Sequence, residues 1–149
     1  MTDYLEDRAK DELKRVDHLI YVSLKYTRTC DIILNAVKRM ISAFEFGMND
    51  LLHYYKNKKR IKEIPESWKE RTELLEKILK QKIQKYLKLY IVLKKIEVSD
   101  FGRREEYRKH VTMLVPIEGK TLEIDIPVLL DYYQKTKEFV DFIKEIMES

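Results

Sequence analysis

The chain has 149 residues, 44% of them hydrophobic and 38% charged, with a formal net charge of +4. This content suits one buried core in a single domain spanning residues 1–149, and it excludes a disordered chain. The near balance of charge excludes a uniformly basic nucleic-acid-binding domain and leaves room for a local basic patch.

No apolar run approaches ~18 residues, so no membrane span is expected. The start, Met1-Thr2-Asp3-Tyr4-Leu5-Glu6-Asp7, is acidic and lacks the basic-then-apolar order of a signal peptide, so a cytoplasmic protein is expected. The single cysteine, Cys30, excludes an internal disulfide and fits a reducing compartment. It falls in a helical apolar pattern, as a buried structural thiol does. The Lys/Glu-rich, Gln-poor composition resembles thermophile usage. With three Gly and three Pro, long uninterrupted elements are expected.

A first helix is predicted from Thr2 to Tyr26, with Leu5, Ala9, Leu13, Val16, Ile20 and Leu24 on one face. Thr2 is a candidate cap, and Asp3, Glu6 and Asp7 suit the positive end of the helix dipole. Its last turns, Leu19-Ile20-Tyr21-Val22, are apolar on most sides, which predicts a buried end. Thr27-Arg28-Thr29 interrupts the pattern. A second helix is predicted from about Cys30 to Lys59, with Ile33, Val37, Met40, Phe44, Gly47 or Met48, Leu51 and Tyr55 on its stripe. Gly47 permits a close approach by another helix. The basic run Lys56–Lys62 suits a solvated helix C-terminus, with a phosphate-binding patch as the functional alternative.

Ser67-Trp68-Lys69-Glu70 is a capping box. It opens a third helix expected to reach about Ile96 through Leu75, Ile78 or Leu79, Ile83, Tyr86, Tyr90 and Leu93. A kink near Gln81 is possible, though no Pro or Gly enforces one. After Phe101-Gly102 the period moves toward two. Val111–Ile117 and Thr121–Ile126 read as a β-hairpin around Glu118-Gly119-Lys120. Pro116 confines that part of its strand to an edge or a bulge. An isolated hairpin is marginal, so it must lean on the helices or on a second subunit. Asp125-Ile126-Pro127 opens a final helix to about Met147. Its apolar face, from Leu129 and Leu130 through Tyr133, Thr136, Phe139, Val140, Phe142 and Ile143 to Ile146, is wide enough for two contacts, such as core and dimer partner. The expected fold is all-α: an antiparallel four-to-five-helix bundle with a small β-hairpin before the last helix.

His18, His53 and His110 lie far apart, with no helical His pair and no Cys pair, so no metal site is predicted. Isolated glycines make no phosphate loop, and no cofactor is implied. His18 and His53 sit off the apolar stripes, as ordinary surface histidines do. The segment Arg103-Arg104-Glu105-Glu106-Tyr107-Arg108-Lys109-His110 concentrates the candidate chemistry. If helical, it would put Arg103, Tyr107 and His110 on one side, with Arg104 and Arg108 beside them. Arginine can clamp a phosphate, histidine can move a proton near neutral pH, and tyrosine can stack a base. The competing reading is a charged turn in which Glu105 and Glu106 pair the arginines.

An Arg-x4–6-His motif, met by Arg104 to His110 or Arg103 to His110, after long helices and before a closing helix, resembles the HEPN superfamily. The resemblance implies a helical bundle that dimerises with its motifs facing each other. It also implies metal-independent RNA cleavage in catalytic members, by attack of the ribose 2′-OH on the adjacent phosphate. His110 would then transfer the proton, and Arg104 or Arg103 would stabilise the phosphorane. Tyr107, Arg108 and Lys109 would hold the RNA, and a toxin-like member would have an antitoxin-like protein partner. The alternative is a non-catalytic dimerisation, protein-interaction or nucleotide-sensing module.

Overall fold

A computed structural model describes residues 7–149. Five helices and three short strands make up the described chain. They are α1 (Arg8–His18, continued by a π-helical turn Leu19–Ser23 and a last turn Leu24–Tyr26), α2 (Cys30–Asn57), α3 (Trp68–Leu79), α4 (Gln81–Val98), β1 (Gly102–Arg104), β2 (Thr112–Ile117), β3 (Lys120–Ile124) and α5 (Ile126–Glu148). The protein is thus mostly helical, with a small antiparallel sheet before the last helix. No described helix is long and apolar enough to cross a membrane.

Helix α2 is the axis of the molecule. Its predicted stripe (Ile33, Val37, Met40, Phe44, Met48, Leu51, Tyr55) is buried, and Ala36, Ile41, Ala43 and Leu52 widen it. Small residues let neighbours approach closely: a Cβ on Gly47 would stand 2.9 Å from Ile143 Cδ1 on α5. Phe44 stacks on Phe139 of α5 at 4.6 Å between ring centres, and Tyr86 of α4 tilts against the same Phe139 at 5.4 Å. One aromatic side chain therefore joins three helices.

The capping chemistry follows from local sequence. Thr29 Oγ1 accepts from the Ile32 N–H at 3.4 Å, and Asp125 Oδ1 accepts from the Val128 N–H at 2.9 Å. Ser67 Oγ accepts from the Glu70 N–H at 3.1 Å and its hydroxyl meets the Glu70 carboxylate at 3.0 Å. Helix α1 begins at Arg8, with Asp7 accepting from the Lys10 N–H. The proposed cap Thr2 and the acidic Asp3 and Glu6 lie outside the described residues.

Three expectations are corrected. The third helix, expected as one element with a kink possible near Gln81, is two helices, broken at Lys80, whose φ of 55° and ψ of −129° no helix accommodates. Lysine is no breaker by propensity. The break re-aims the chain so that both Leu75 of α3 and Ile83 of α4 are buried. The apolar end of α1 is not buried throughout: Ile20 and Leu24 are inside, but Tyr21 is 56% and Val22 40% exposed. The hairpin is a three-stranded sheet of order β1-β2-β3, because Gly102, Arg103 and Arg104 pair with Leu114, Met113 and Thr112.

The sheet leans on the helices. Val111, Met113, Val115 and Ile124 are fully buried. Glu118 and Gly119, with φ of 51° and 79°, make the two-residue turn between β2 and β3. Pro116 pairs with Thr121 on β3, while β1 reaches only as far as Leu114 on its other side. Its missing N–H therefore faces a free edge of the central strand.

Replacement of Phe139 by alanine should cost about 3–5 kcal/mol, as loss of a buried aromatic side chain does. Urea denaturation of Phe139→Ala beside the wild type measures it. The loss should exceed that from any exposed tyrosine.

Candidate functional site

Residues 103–110 are not a helix. Arg103 and Arg104 close strand β1, and Glu105–His110 form a loop between β1 and β2. The face shared by Arg103, Tyr107 and His110, which helical spacing would have produced, does not form. Successive strand residues point to opposite faces instead, so the two arginines separate.

Arg103 turns toward the N-terminus of α2. Its guanidinium makes a two-pronged contact to Asp31, at 3.0 and 3.1 Å, and donates to Glu106 Oε2 at 2.9 Å. It also lies 4.9 Å over the Phe101 ring. Arg104 points to the other face and donates to Glu123 of β3 at 2.6 Å. Hydrogen bonds to these carboxylates push the ionisation of both guanidinia further up. Each motif arginine thus already holds an anion.

Glu106 ties the loop to α2. It accepts from the Cys30 N–H at 2.9 Å as well as from Arg103. Those two bonds, the Cys30 one first, hold its carboxyl below the usual range, and Arg103 does the same for Asp31. Cys30 is a buried thiol that donates to the Thr112 carbonyl at 3.4 Å, and burial raises its pKa. A second tie is the Tyr107 N–H to the Arg28 carbonyl, at 2.6 Å. Within the loop, the Arg108 N–H reaches the Glu105 carbonyl and the Val111 N–H the Arg108 carbonyl, both at 3.2 Å.

These ties fix the loop in a costly shape. Glu105 and Tyr107 both have left-handed backbones, with φ of 54° and 68°. Such residues persist where the surroundings over-determine them. The Tyr107 side chain is held out to solvent, 74% exposed. Arg108, Lys109 and His110 are exposed beside it, and the His110 carbonyl accepts from Thr112 Oγ1 at 2.8 Å.

The Tyr107–Arg28 bond sets the loop beside the corner from α1 into α2, the end of a second segment that spacing in the sequence did not single out, with Tyr21, Lys25, Tyr26 and Arg28. Tyr26 is 81% exposed. Of the six large apolar side chains exposed among the described residues, four (Tyr21, Val22, Tyr26 and Tyr107) belong to these two segments, so exposure is concentrated here. The signal lay in the chain: Tyr21 and Tyr26 fall off the apolar stripe of α1. Among the described residues, Lys25, Arg28, Arg108 and Lys109 have no carboxylate partner, while the nearby Asp31, Glu106 and Glu123 are taken by Arg103 and Arg104; Glu105, expected to pair an arginine, is exposed and held by neither.

The other histidines stand elsewhere. His18 is exposed on α1, and His53 lines an open groove of about 760 Å³ between α2 and α5, with Asn49, Asn57 and Lys144. No group of three His, Cys, Asp or Glu side chains is placed to hold a metal ion among the described residues. No family model matches the chain, and neither a curated protein nor a solved structure does.

The depressed carboxyls make a pH signature. A group whose folded pKa is lowered contributes stability above its unfolded pKa and loses it as pH falls through the folded value. Arg103→Gln removes the partner of Asp31 and one partner of Glu106. Its melting temperature should therefore lie below the wild type's at neutral pH, and the gap should close as pH falls through and below the carboxylate range. Thermal melts over a pH series check this.

Proposed function

We propose that this protein is an RNA-directed helical-bundle domain that binds the nucleic-acid backbone through the 103–110 loop and the α1–α2 corner. The observation that carries this reading is the charge arrangement. Among the described residues, Lys25, Arg28, Arg108 and Lys109 lack carboxylate partners and flank the exposed Tyr26 and Tyr107, while Asp31, Glu106 and Glu123 are held by Arg103 and Arg104 and Glu105 is the loop acid that neither arginine holds. Unpaired cations next to open aromatic faces are what a phosphodiester chain with accessible bases requires.

The geometry supports binding better than cleavage. In the HEPN-like scheme His110 moves the proton and Arg104 or Arg103 stabilises the phosphorane. Arg104 would first have to exchange Glu123 for a phosphate, and Arg103 would have to leave both Asp31 and Glu106. A homodimer with facing loops, and a toxin role with an antitoxin-like partner, belong to this same HEPN-like scheme. The same arginine–carboxylate pairs favour a second reading, a non-catalytic dimerisation or protein-interaction module.

Fluorescence anisotropy with end-labelled mixed-sequence RNA over a salt series tests the proposal. Affinity should fall steeply with salt, by a log–log slope of about −3 if four cations meet phosphates of a single strand. Arg108→Ala and Lys109→Ala should each reduce the slope by about 0.7. The same RNA incubated with protein in EDTA should stay intact. Cleavage leaving a 2′,3′-cyclic phosphate and lost in His110→Ala would instead establish the ribonuclease. No salt-dependent binding by a folded dimer would favour the interaction module.

A further inference from the structure

We infer that Tyr26 and Tyr107 form a stacking platform for the bases of an unpaired strand, and that Lys25, Arg28, Arg108 and Lys109 follow its phosphates. This rests on the nucleic-acid reading above and goes further, because it names the form of nucleic acid and the residues that choose it.

Two observations converge. The first is exposure: Tyr26 and Tyr107 are 81% and 74% open, the two most exposed aromatic rings among the described residues. A tyrosine ring left in water forgoes its burial, and an open aromatic face meets any base regardless of sequence. The second is how the rings are held. Tyr107 has a left-handed backbone, which a β-carbon disfavours, and its N–H is bonded to the Arg28 carbonyl at 2.6 Å. This bond sets Tyr107 beside the corner that Tyr26 opens, although the two are far apart in the chain.

The shape selects the strand. A duplex keeps its bases stacked on each other and offers protruding rings only its backbone. An unpaired strand can splay bases onto Tyr26 and Tyr107 while its phosphates meet the four cations. Stacking recognises the base face and not the ribose, so single-stranded RNA and DNA are both ligands.

The test uses the full chain and fluorescein-labelled oligouridylate, oligothymidylate and a duplex of equal length, with affinity read by anisotropy. Both single strands should bind more tightly than the duplex. Tyr26→Ala and Tyr107→Ala should each weaken single-strand binding by about 5- to 100-fold, the range that loss of one stacked base brings. The Phe variants at the same positions should bind like the wild type, the duplex affinity should not change, and the salt slope of the Ala variants should stay as it was. Circular dichroism confirms folding, which these exposed positions do not disturb. Equal affinity for strand and duplex, or Ala variants that bind like the wild type, would overturn the platform and leave the phosphate reading standing. Absence of binding to all three probes would overturn both.

Discussion

The carboxylate of Glu106 is the contact on which the candidate site depends. It takes the first free N–H of α2, at Cys30, and the guanidinium of Arg103, which in turn grips Asp31 one residue further along the helix. An acid at a helix N-terminus satisfies a donor that has no partner inside the helix and faces the positive end of the dipole. That one anchor makes the loop after β1 part of the α1–α2 corner. It also removes Arg103 and Glu106 from the pool of free charge, so the remaining loop cations act outward.

Behind the anchor stands a core built around α2. Helices α1, α4 and α5 and the strands cover the apolar sides of α2, and Phe139 packs between Phe44 and Tyr86. The rigidity of that core lets the edge carry strain. Left-handed Glu105 and Tyr107 are tolerated because Val111, Met113 and Val115 are fully buried on one side of the loop and the Cys30 and Arg28 bonds hold the other. Packing energy deep in the molecule thus supports an exposed tyrosine at its surface.

Polar groups inside the core are handled by the same logic. Glu12 is 3% exposed on the apolar side of α1 and is met by Arg15 at 2.7 Å and Arg39 at 3.4 Å. Tyr133 donates to Asp17 at 3.1 Å and Tyr90 to Glu45 at 2.7 Å, and burial raises the ionisation of both phenols. These bonds join α1 to α5 and α2 to α4. They read as structural pins, in contrast to the loop and corner, where the cations are left open.

The sequence by itself determined the helices whose apolar residues recur every three or four positions, the capping box at Ser67, the opening of the last helix at Asp125-Ile126-Pro127, and the hairpin around Glu118-Gly119. Each of these is a local matter of backbone propensity and side-chain period, which neighbours in the chain settle. Only the tertiary structure decided that the chain breaks fully at Lys80, where the sequence left a kink near Gln81 open, and that Gly102–Arg104 is a strand. Lysine carries no breaking signal, and Gly-Arg-Arg has no alternation to mark it as a strand until β2 supplies its hydrogen bonds. The union of the α1–α2 corner with 103–110 was likewise out of reach, because it depends on two hydrogen bonds, the Cys30 N–H to the Glu106 carboxylate and the Tyr107 N–H to the Arg28 carbonyl, between segments more than seventy residues apart. Such bonds form only once burial of the strands beside them has fixed the distance, and no local pattern encodes that.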